Sequence, residues 1–197
     1  MEQNIEIEFK NIVEKDEFNK VAQEFKLGLS DFKHQANHYF DTSLFRLKDA
    51  GSALRIREKE GKRVLTLKQP FGDGLLETHQ RLSEKEFNDA IHLGKLPEGQ
   101  IQTEIEKLGI QFEELAYFGT LETSRAETQY KKGLLVLDHS SYLGTEDYEL
   151  EYEVEDYHQG KEVFYALLKQ LGIPKRETLN KIRRFYKRKL ALETEGS

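Results

Sequence analysis

Residues 148–155 read YELEYEVE, a strict alternation of acidic and apolar side chains. Successive side chains of a β-strand point to opposite faces, so this stretch predicts a strand, which we place at 146–155. The four carboxylates on its acidic face repel one another unless cations lie opposite them. The alternation alone leaves two interpretations open: a charged face that points to solvent, or one that lies inside the protein.

Other stretches alternate in the same way but carry different charges. Their charged faces are Glu6, Glu8 and Lys10 in 4–12, Arg55, Arg57 and Lys59 in 52–59, and Thr66 and Lys68 in 63–69. Some strands are thus cationic where the last strand is acidic. Divalent Mg²⁺ or Mn²⁺ prefers carboxylate oxygens, whereas a polyphosphate binds Arg and Lys. This segregation therefore indicates a ligand that needs both a metal ion and an anion clamp.

Strand signals dominate the chain, and helix signals are fewer. Strands are predicted at 4–12, 35–41, 52–59, 63–69, 75–81, 116–129, 133–143 and 146–155, and helices at 14–25, 83–91, 159–171 and from Thr178 onward. We predict the α+β class: an eight-stranded closed antiparallel β-barrel with flanking helices and a C-terminal helix, because closure removes exposed sheet edges. The charged faces line its interior and the helices cover its apolar outer faces. Residues 92–115 are either a lid or a helical cover.

The composition fits one folded domain, 1–197, with 37% hydrophobic and 34% charged residues. The net charge of −6 gives no general attraction for nucleic acid or an anionic membrane. The absence of cysteine suits a cytoplasmic protein, and the N-terminus lacks a secretory pattern. The basic run 181–189 predicts an amphipathic helix in which Ile182, Phe185 and Leu190 pack and the cations face solvent or the mouth of the barrel interior. We therefore expect no nucleic-acid partner and no membrane association.

A series of motifs extends along most of the chain. The motifs are Glu6-x-Glu8-x-Lys10, Tyr39-Phe40-Asp41, Leu54-Arg55-Ile56-Arg57, Thr66-Leu67-Lys68, Arg125 in TSRAET, Leu137-Asp138, Tyr148-Glu149-Leu150-Glu151 and Lys181 in NKIRRF. In this order they resemble the CYTH superfamily, also called the triphosphate tunnel metalloenzymes, and especially its bacterial stand-alone members. The resemblance implies an eight-stranded tunnel that hydrolyses inorganic or thiamine triphosphate, or cyclises ATP.

The resemblance also implies roles for individual residues. The implied phosphate ligands are Lys10, Arg55, Arg57, Lys68, Arg125 and Lys181. The implied ligands of one or two Mg²⁺ or Mn²⁺ ions are Glu6, Glu8, Asp138, Glu149 and Glu151. Within these sets, the expected catalytic residues are Glu6, Glu8, Lys10, Glu149 and Glu151. Arg81 is a further candidate phosphate ligand, because it shares its strand face with Glu77 and His79.

Three positions leave alternatives open. Asp138 shares its parity with Leu134 and Val136, so its strand needs either a bulge or a partly apolar interior face. Asp41 either caps the turn that follows it or takes part in the chemistry. Glu153 is either a metal ligand or the charge partner of a lysine.

The sequence favours metal-dependent hydrolysis of a small-molecule triphosphate, most simply inorganic tripolyphosphate. Thiamine-triphosphatase, class IV adenylate cyclase and a non-catalytic phosphate-binding module stay open. The chain has no Trp to stack on thiamine, and no adenine pocket is recognisable. A module that only binds anions gains nothing from the carboxylates. We expect a monomer or a homodimer.

Overall fold

The structure is a computed structural model that describes residues 2–195. Its strands are β1 (Glu2–Val13), β2 (Lys33–Asp41), β3 (Ala53–Lys59), β4 (Lys62–Phe71), β5 (Gly74–Arg81), β6 (Ala116–Tyr130), β7 (Gly133–Tyr142) and β8 (Thr145–Val154). Its helices are α1 (Lys15–Glu24), α2 (Arg46–Asp49), α3 (Glu84–Leu93), α4 (Gln100–Lys107), α5 (Tyr157–Gln170) and α6 (Lys181–Glu195), with 3₁₀ turns at Leu29–Asp31 and Phe112–Glu114. The strands form a closed antiparallel β-barrel in the order β1-β5-β4-β3-β2-β6-β7-β8, which confirms the predicted fold class.

The chain groups into two compact units. The first holds the residues up to Ile5 together with Gln35–Leu121. The second holds Glu6–His34 and the residues from Glu122 onward. That 1–197 forms one domain stays a prediction.

In the first unit, helices cover the apolar faces of β3 and β4. The buried core includes Leu54, Ile56, Leu65, Leu67, Ala90, Ile101, Ile105, Ile110 and Phe112. Ser83 caps α3 and forms the expected capping box with Glu86. Since Ile101 and Ile105 of α4 are fully buried in this core, the segment 92–115 is a helical cover.

In the second unit, α1 and α5 cover the apolar faces of β1, β7 and β8. The buried core includes Phe9, Val21, Leu135, Leu137, Leu150, Tyr152, Phe164 and Leu167. Gly160 lets α5 approach the sheet closely, because a methyl group at this position would lie 2.5 Å from Val154 Cγ2. The apolar faces of these strands contact the helices, so the alternate, charged side chains face the barrel interior.

β7 decides between the two alternatives for Asp138, and β8 corrects the predicted end of the last strand. β7 pairs with both neighbours without a bulge, and Asp138 lies opposite Arg125 on one side and Glu149 on the other. Val136 is fully buried on the same face, so the interior is partly apolar. β8 ends at Val154, and Glu155 therefore lies outside the strand that was predicted to include it.

The start of the C-terminal helix corrects another prediction. α6 begins at Lys181 and not at Thr178. Thr178 Oγ1 accepts a hydrogen bond from the Ile12 amide at 2.8 Å, so it is engaged by β1. Asn180 caps the helix instead, through an Oδ1 that accepts from the Arg183 amide at 3.0 Å.

The buried face of α6 also differs from the prediction at one position. Ile182 and Phe185 are buried as expected, but Leu190 is 44% exposed, so the prediction that it packs is wrong. Tyr186, which follows Phe185, is buried instead. The buried face of α6 therefore ends before the last turns of the helix. Among residues 2–195, no helix combines the length and the apolar character needed to cross a bilayer.

Candidate functional site

The charged faces of β3, β4 and β5 line a cavity in the first unit. Its volume is about 720 Å³, and its lining includes Arg55, Arg57, Val64, Thr66, Glu77, His79, Gln80 and Arg81. The antiparallel register places Arg55, Thr66 and His79 side by side across the three strands. Arg57 and Arg81 occupy the neighbouring row. Three of the expected phosphate ligands, all guanidinium groups, thus line one cavity.

Glu77 is a carboxylate within this basic cavity. It is buried and contacts the ammonium of Lys68, which lies directly opposite it on β4. Burial alone would raise the pKa of Glu77, but hydrogen bonding to His79 and the charges of Lys68 and Arg55 hold it well below its usual range. His79 Nδ1 also lies 2.9 Å from Thr66 Oγ1, so His79 belongs to the polar wall of the cavity. Lys68, the partner of Glu77, thus lies beside the cavity as one half of an ion pair.

The charged faces of β1, β6, β7 and β8 form a second group with the start of α6, within the second unit. We call it the carboxylate cluster. Its acidic members are Glu6, Glu8, Asp138, Glu149, Glu151 and Glu153, and its basic members are Lys10, Arg125, Lys181 and Arg184. Asp138 and Glu149 are fully buried, and Glu151 is 4% exposed.

Arg125 is held by two of these carboxylates. Its Nε donates to Asp138 Oδ1 at 2.8 Å and its Nη2 to Asp138 Oδ2 at 2.7 Å, a two-pronged ion pair. Nη2 also donates to Glu151 Oε2 at 2.7 Å. Burial opposes the charge, but Asp138 and Glu151 outweigh it and raise the pKa of Arg125 well above its usual value. This expected phosphate ligand thus belongs to the carboxylate cluster.

Lys181 lies among three carboxylates. Its Nζ is 2.5 Å from Glu151 Oε1, 2.8 Å from Asp138 Oδ2 and 3.2 Å from Glu149 Oε2. Despite burial, these neighbours raise the pKa of Lys181 well above its usual value. In return, Lys181 and then Arg125 overcome the effect of burial on Glu151 and hold its pKa well below the usual range. The ion pairs therefore keep Glu151 ionised inside the protein.

Two other carboxyl groups of the cluster, those of Glu149 and Glu153, have pKa values above their usual range. Burial raises the pKa of Glu149, and the nearby Lys181 and Arg184 offset this effect only in part. Burial, followed by the charge of Glu6, raises the pKa of Glu153 to about 7. Glu153 lies 3.8 Å from Arg125, and no lysine in the described part of the chain forms an ion pair with it. Its carboxyl group can therefore exchange a proton near neutral pH.

Lys10 completes the β1 side of the cluster. It contacts Glu8 and lies opposite Glu151 in the register of β1 and β8. Burial lowers the pKa of Lys10, but the charges of Glu8 and Glu151 outweigh this effect and raise it overall. The Glu-x-Glu-x-Lys motif thus forms an ion pair within its own strand.

Two members of this region were missed by the sequence reasoning. Arg184 Nε donates to Asp147 Oδ2 at 2.8 Å, and Arg184 Nη2 contacts Glu149. The available signal was the spacing of Lys181 and Arg184, which places both on one helix face. Of the two positions predicted for the cations of 181–189, solvent is therefore excluded for Arg184, whose side chain is 12% exposed.

The donor chemistry of the carboxylate cluster fits a hard divalent ion, which binds through oxygen. Glu149 Oε1 is buried and has no hydrogen-bond partner in the part of the chain that the structure describes. A buried acceptor without a partner is costly unless a cation or donor meets it. The oxygens of Asp138 and Glu151 are directed at Arg125 and Lys181, and among residues 2–195 no three carboxylate or imidazole groups are already arranged around one ion position.

The motif Tyr39-Phe40-Asp41 has a structural explanation. Asp41 is buried, and its Oδ1 accepts from the Thr42 amide at 2.7 Å and from the Leu47 amide at 2.9 Å. Its Oδ2 accepts from the Lys48 amide at 3.1 Å. Asp41 therefore caps the turn that leads into α2, in agreement with the first of the two alternatives.

Known proteins resemble the chain over nearly its whole length. A Bacillus subtilis (strain 168) protein, YjbK, named as a candidate triphosphatase, is 53% identical over 189 residues, or 96% of this chain and 98% of YjbK. A Bacillus halodurans protein described as a candidate adenylate cyclase is 46% identical, with a TM-score of 0.91 over 94% of this chain and 100% of that chain. A Hippeastrum protein, described as a candidate adenylyl cyclase with a dominant triphosphatase activity, shares the fold at 24% identity, with a TM-score of 0.71 over 93% of this chain and 95% of that chain.

The model of one protein family, described as the CYTH domain, matches residues 4–186. This range includes every residue of the carboxylate cluster and of the arginine-lined cavity. The chain therefore belongs to the CYTH domain family.

Proposed function

We propose that the chain is a divalent-metal-dependent triphosphatase that hydrolyses inorganic tripolyphosphate, with Mg²⁺ or Mn²⁺ as its ion. The observation that carries this proposal is the buried acceptor Glu149 Oε1 within the carboxylate cluster. Lys181 and Arg184 contact the other oxygen, Oε2, and a buried oxygen that no donor or cation meets is costly. A protein that only binds anions gains nothing from such a group, whereas a metal-dependent phosphohydrolase needs it.

The relatives support the same class of reaction and define the main alternative. YjbK carries the name of a triphosphatase, and the Bacillus halodurans protein that of an adenylate cyclase. A cyclase or a thiamine-triphosphatase needs a surface on which a heterocycle can stack. Among the described residues that line the cavity, none is Phe or Tyr. This lining favours tripolyphosphate, which needs contacts to phosphate oxygens alone.

The roles of the residues follow from their chemistry. Arg55, Arg57 and Arg81 offer forked donors that match the oxygens of a phosphate group. Lys10, Lys68, Arg125 and Lys181, the other predicted phosphate ligands, each also neutralise a carboxylate. Glu6, Glu8, Asp138, Glu149 and Glu151 would hold the metal ion. A bound divalent ion supplies polarisation of phosphate oxygens and a lower pKa for its water.

Phosphate release tests the proposal directly. Tripolyphosphate, thiamine triphosphate and ATP are each incubated with the protein in Mg²⁺, Mn²⁺ or EDTA. We expect release from tripolyphosphate that EDTA abolishes. Cyclic AMP and pyrophosphate from ATP would instead establish a cyclase. Metal-dependent binding of tripolyphosphate without turnover of any substrate would refute the enzyme and leave a binding module.

Two matched variants test the role of the carboxylate cluster. Glu149→Gln removes a fully buried carboxylate, and we expect it to lower kcat by about 100-fold or more, in line with the loss of one group that stabilises transition-state charge. Glu155→Gln makes the same chemical change in the same acidic alternation, at an exposed position beyond the end of β8. Its activity should equal that of the unmodified protein. Equal loss in both variants would contradict the assignment.

The cytoplasmic location and the monomeric or homodimeric state stay predictions. Size-exclusion chromatography with light scattering decides the second. The substrate proposal depends on neither.

A further inference from the structure

Three buried or half-buried side chains of the second unit form a chain of contacts that ends on Glu149. They are Tyr142 of β7, Asp147 of β8 and Arg184 of α6. We propose that Arg184 is a positioning residue, held in place by Asp147 and Tyr142, that orients the Glu149 carboxylate for a divalent cation. This inference rests on the proposed function, because the orientation of Glu149 matters only if it is a metal ligand.

The guanidinium of Arg184 is fixed from several directions. Nε donates to Asp147 Oδ2 at 2.8 Å and Nη2 to Asp147 Oδ1 at 3.2 Å, so the fork and the carboxylate face each other. Nη1 donates to the Leu179 carbonyl at 2.5 Å, just before α6. The side chain is only 12% exposed. A planar group bound at three of its nitrogens has little freedom to rotate.

Asp147 is fixed in turn by Tyr142. The Tyr142 hydroxyl donates to Asp147 Oδ2 at 2.7 Å. The Tyr142 ring is buried and lies 5.8 Å from the ring of Phe185, the residue that follows Arg184 on α6. Tyr142 thus contacts both Asp147 and the helix that carries Arg184.

The effect of these contacts appears at Glu149. Arg184 Nη2 contacts Glu149 Oε2, and Lys181 Nζ lies 3.2 Å from the same oxygen. The other oxygen, Oε1, is the buried acceptor without a hydrogen-bond partner among residues 2–195. The carboxylate is thus held through one oxygen and presents the other. Groups that orient a metal ligand in this way contribute strongly to metal affinity.

If Arg184 acted through its charge alone, its effect on metal binding would be the opposite of the one proposed. A guanidinium beside a metal ligand repels the incoming cation, so its removal should tighten metal binding if charge were its only contribution. If Arg184 only stabilised the fold, its removal would lower the melting temperature and leave the metal affinity of the folded protein unchanged. If Arg184 acts by orienting Glu149, its removal should weaken metal binding. The direction of the change therefore separates the three roles.

The test is a calorimetric titration of the full-length protein with Mn²⁺, without substrate. We expect Arg184→Met to weaken Mn²⁺ binding by about 10- to 100-fold, as for other groups that orient metal ligands. Arg184→Lys keeps the charge without the fork and should recover part of the affinity. The control is Arg183→Met, which changes the neighbouring, exposed arginine and should bind Mn²⁺ as the unmodified protein does.

A milder variant keeps the test decisive if Arg184→Met fails to fold. Tyr142→Phe removes one hydroxyl and its hydrogen bond to Asp147, and should weaken Mn²⁺ binding by about 2- to 10-fold. Unchanged or tighter binding by the folded Arg184 and Tyr142 variants would overturn the inference, as would an unmodified protein that binds no Mn²⁺. An unmodified protein that binds Mn²⁺ through an Arg184-dependent site but hydrolyses no triphosphate would overturn the proposed function alone.

Discussion

Arg125→Met removes the cation at the centre of the carboxylate cluster and replaces it with a shorter, unbranched apolar side chain. Arg125 makes three charge-assisted hydrogen bonds, two to Asp138 and one to Glu151, with lengths of 2.7–2.8 Å. Its loss leaves Asp138, which is fully buried, with Lys181 as its remaining ion-pair partner among residues 2–195. Breaking a buried ion pair from one side costs about 3–5 kcal/mol, because the other charge stays buried without compensation.

This free energy translates into a measurable melting shift. For a chain of this length, 1 kcal/mol changes the melting temperature by about 2–4 °C, so we expect a decrease of about 6–20 °C. The measurement is thermal unfolding followed by circular dichroism at neutral pH in EDTA. High salt should change the difference little, since screening acts mainly on exposed charges.

A second substitution tests the reason for the loss. Asp138→Asn removes the charge that Arg125→Met leaves only partly compensated by Lys181, so the double variant should melt at a higher temperature than Arg125→Met alone. Arg183→Met, an exposed arginine, should change the free energy of unfolding by less than about 0.5 kcal/mol. The reasoning is refuted if Arg125→Met unfolds within 1 °C of the unmodified protein, or if Asp138→Asn adds to the loss.

Three further predictions concern the scaffold. Gly160→Ala should lower the free energy of unfolding by about 1–3 kcal/mol in urea, because its methyl group meets Val154, and adding Val154→Ala should reverse most of the loss. Asp41→Asn should cost about 1–3 kcal/mol by the same assay, since the amide cannot replace a carboxylate that accepts three backbone hydrogen bonds. Hydrogen bonding to Arg176 lowers the pKa of Glu17 in the folded protein. The ion pair between Glu17 and Arg176 therefore stabilises the fold above about pH 4.5, and this contribution to the free energy of unfolding is lost as the pH falls below that value. Glu17→Gln should therefore lower stability by about 0.5 kcal/mol at neutral pH and low salt, and by nothing once Glu17 is protonated; an equal effect at all pH values would contradict this account.

The barrel was predictable because alternation is a local property. In β8, the alternation of acidic and apolar residues within one strand is enough to assign its two faces. The same holds for β3, where Arg55 and Arg57 share one face. Glycine and polar turns separated the strands, and closure followed from the need to remove edges. The start of α6 was not predictable in this way. Thr178 and Asn180 are both good caps, and a hydrogen bond from the distant Ile12 decides between them.

The partners of the charged residues were harder to predict than their positions. Arg125 and Lys181 carry the same charge as Arg55, so the sequence alone suggests the same role for all three. The structure directs the first two at buried carboxylates, whereas Arg55 lines the arginine-rich cavity. Which cation meets which anion depends on the register of β6, β7 and β8 and on the docking of α6, and these are long-range contacts. Arg184 was missed for the same reason.

The place of Lys181 along the chain has a consequence for incomplete products. Asp138, Glu149 and Glu151 precede it by 30 residues or more, yet they depend on its ammonium and on Arg184 for compensation. A chain cut by proteolysis before α6 would therefore bury Glu149 without the two cations that contact it here, Lys181 and Arg184. Such a fragment should unfold more readily than the chain that includes α6.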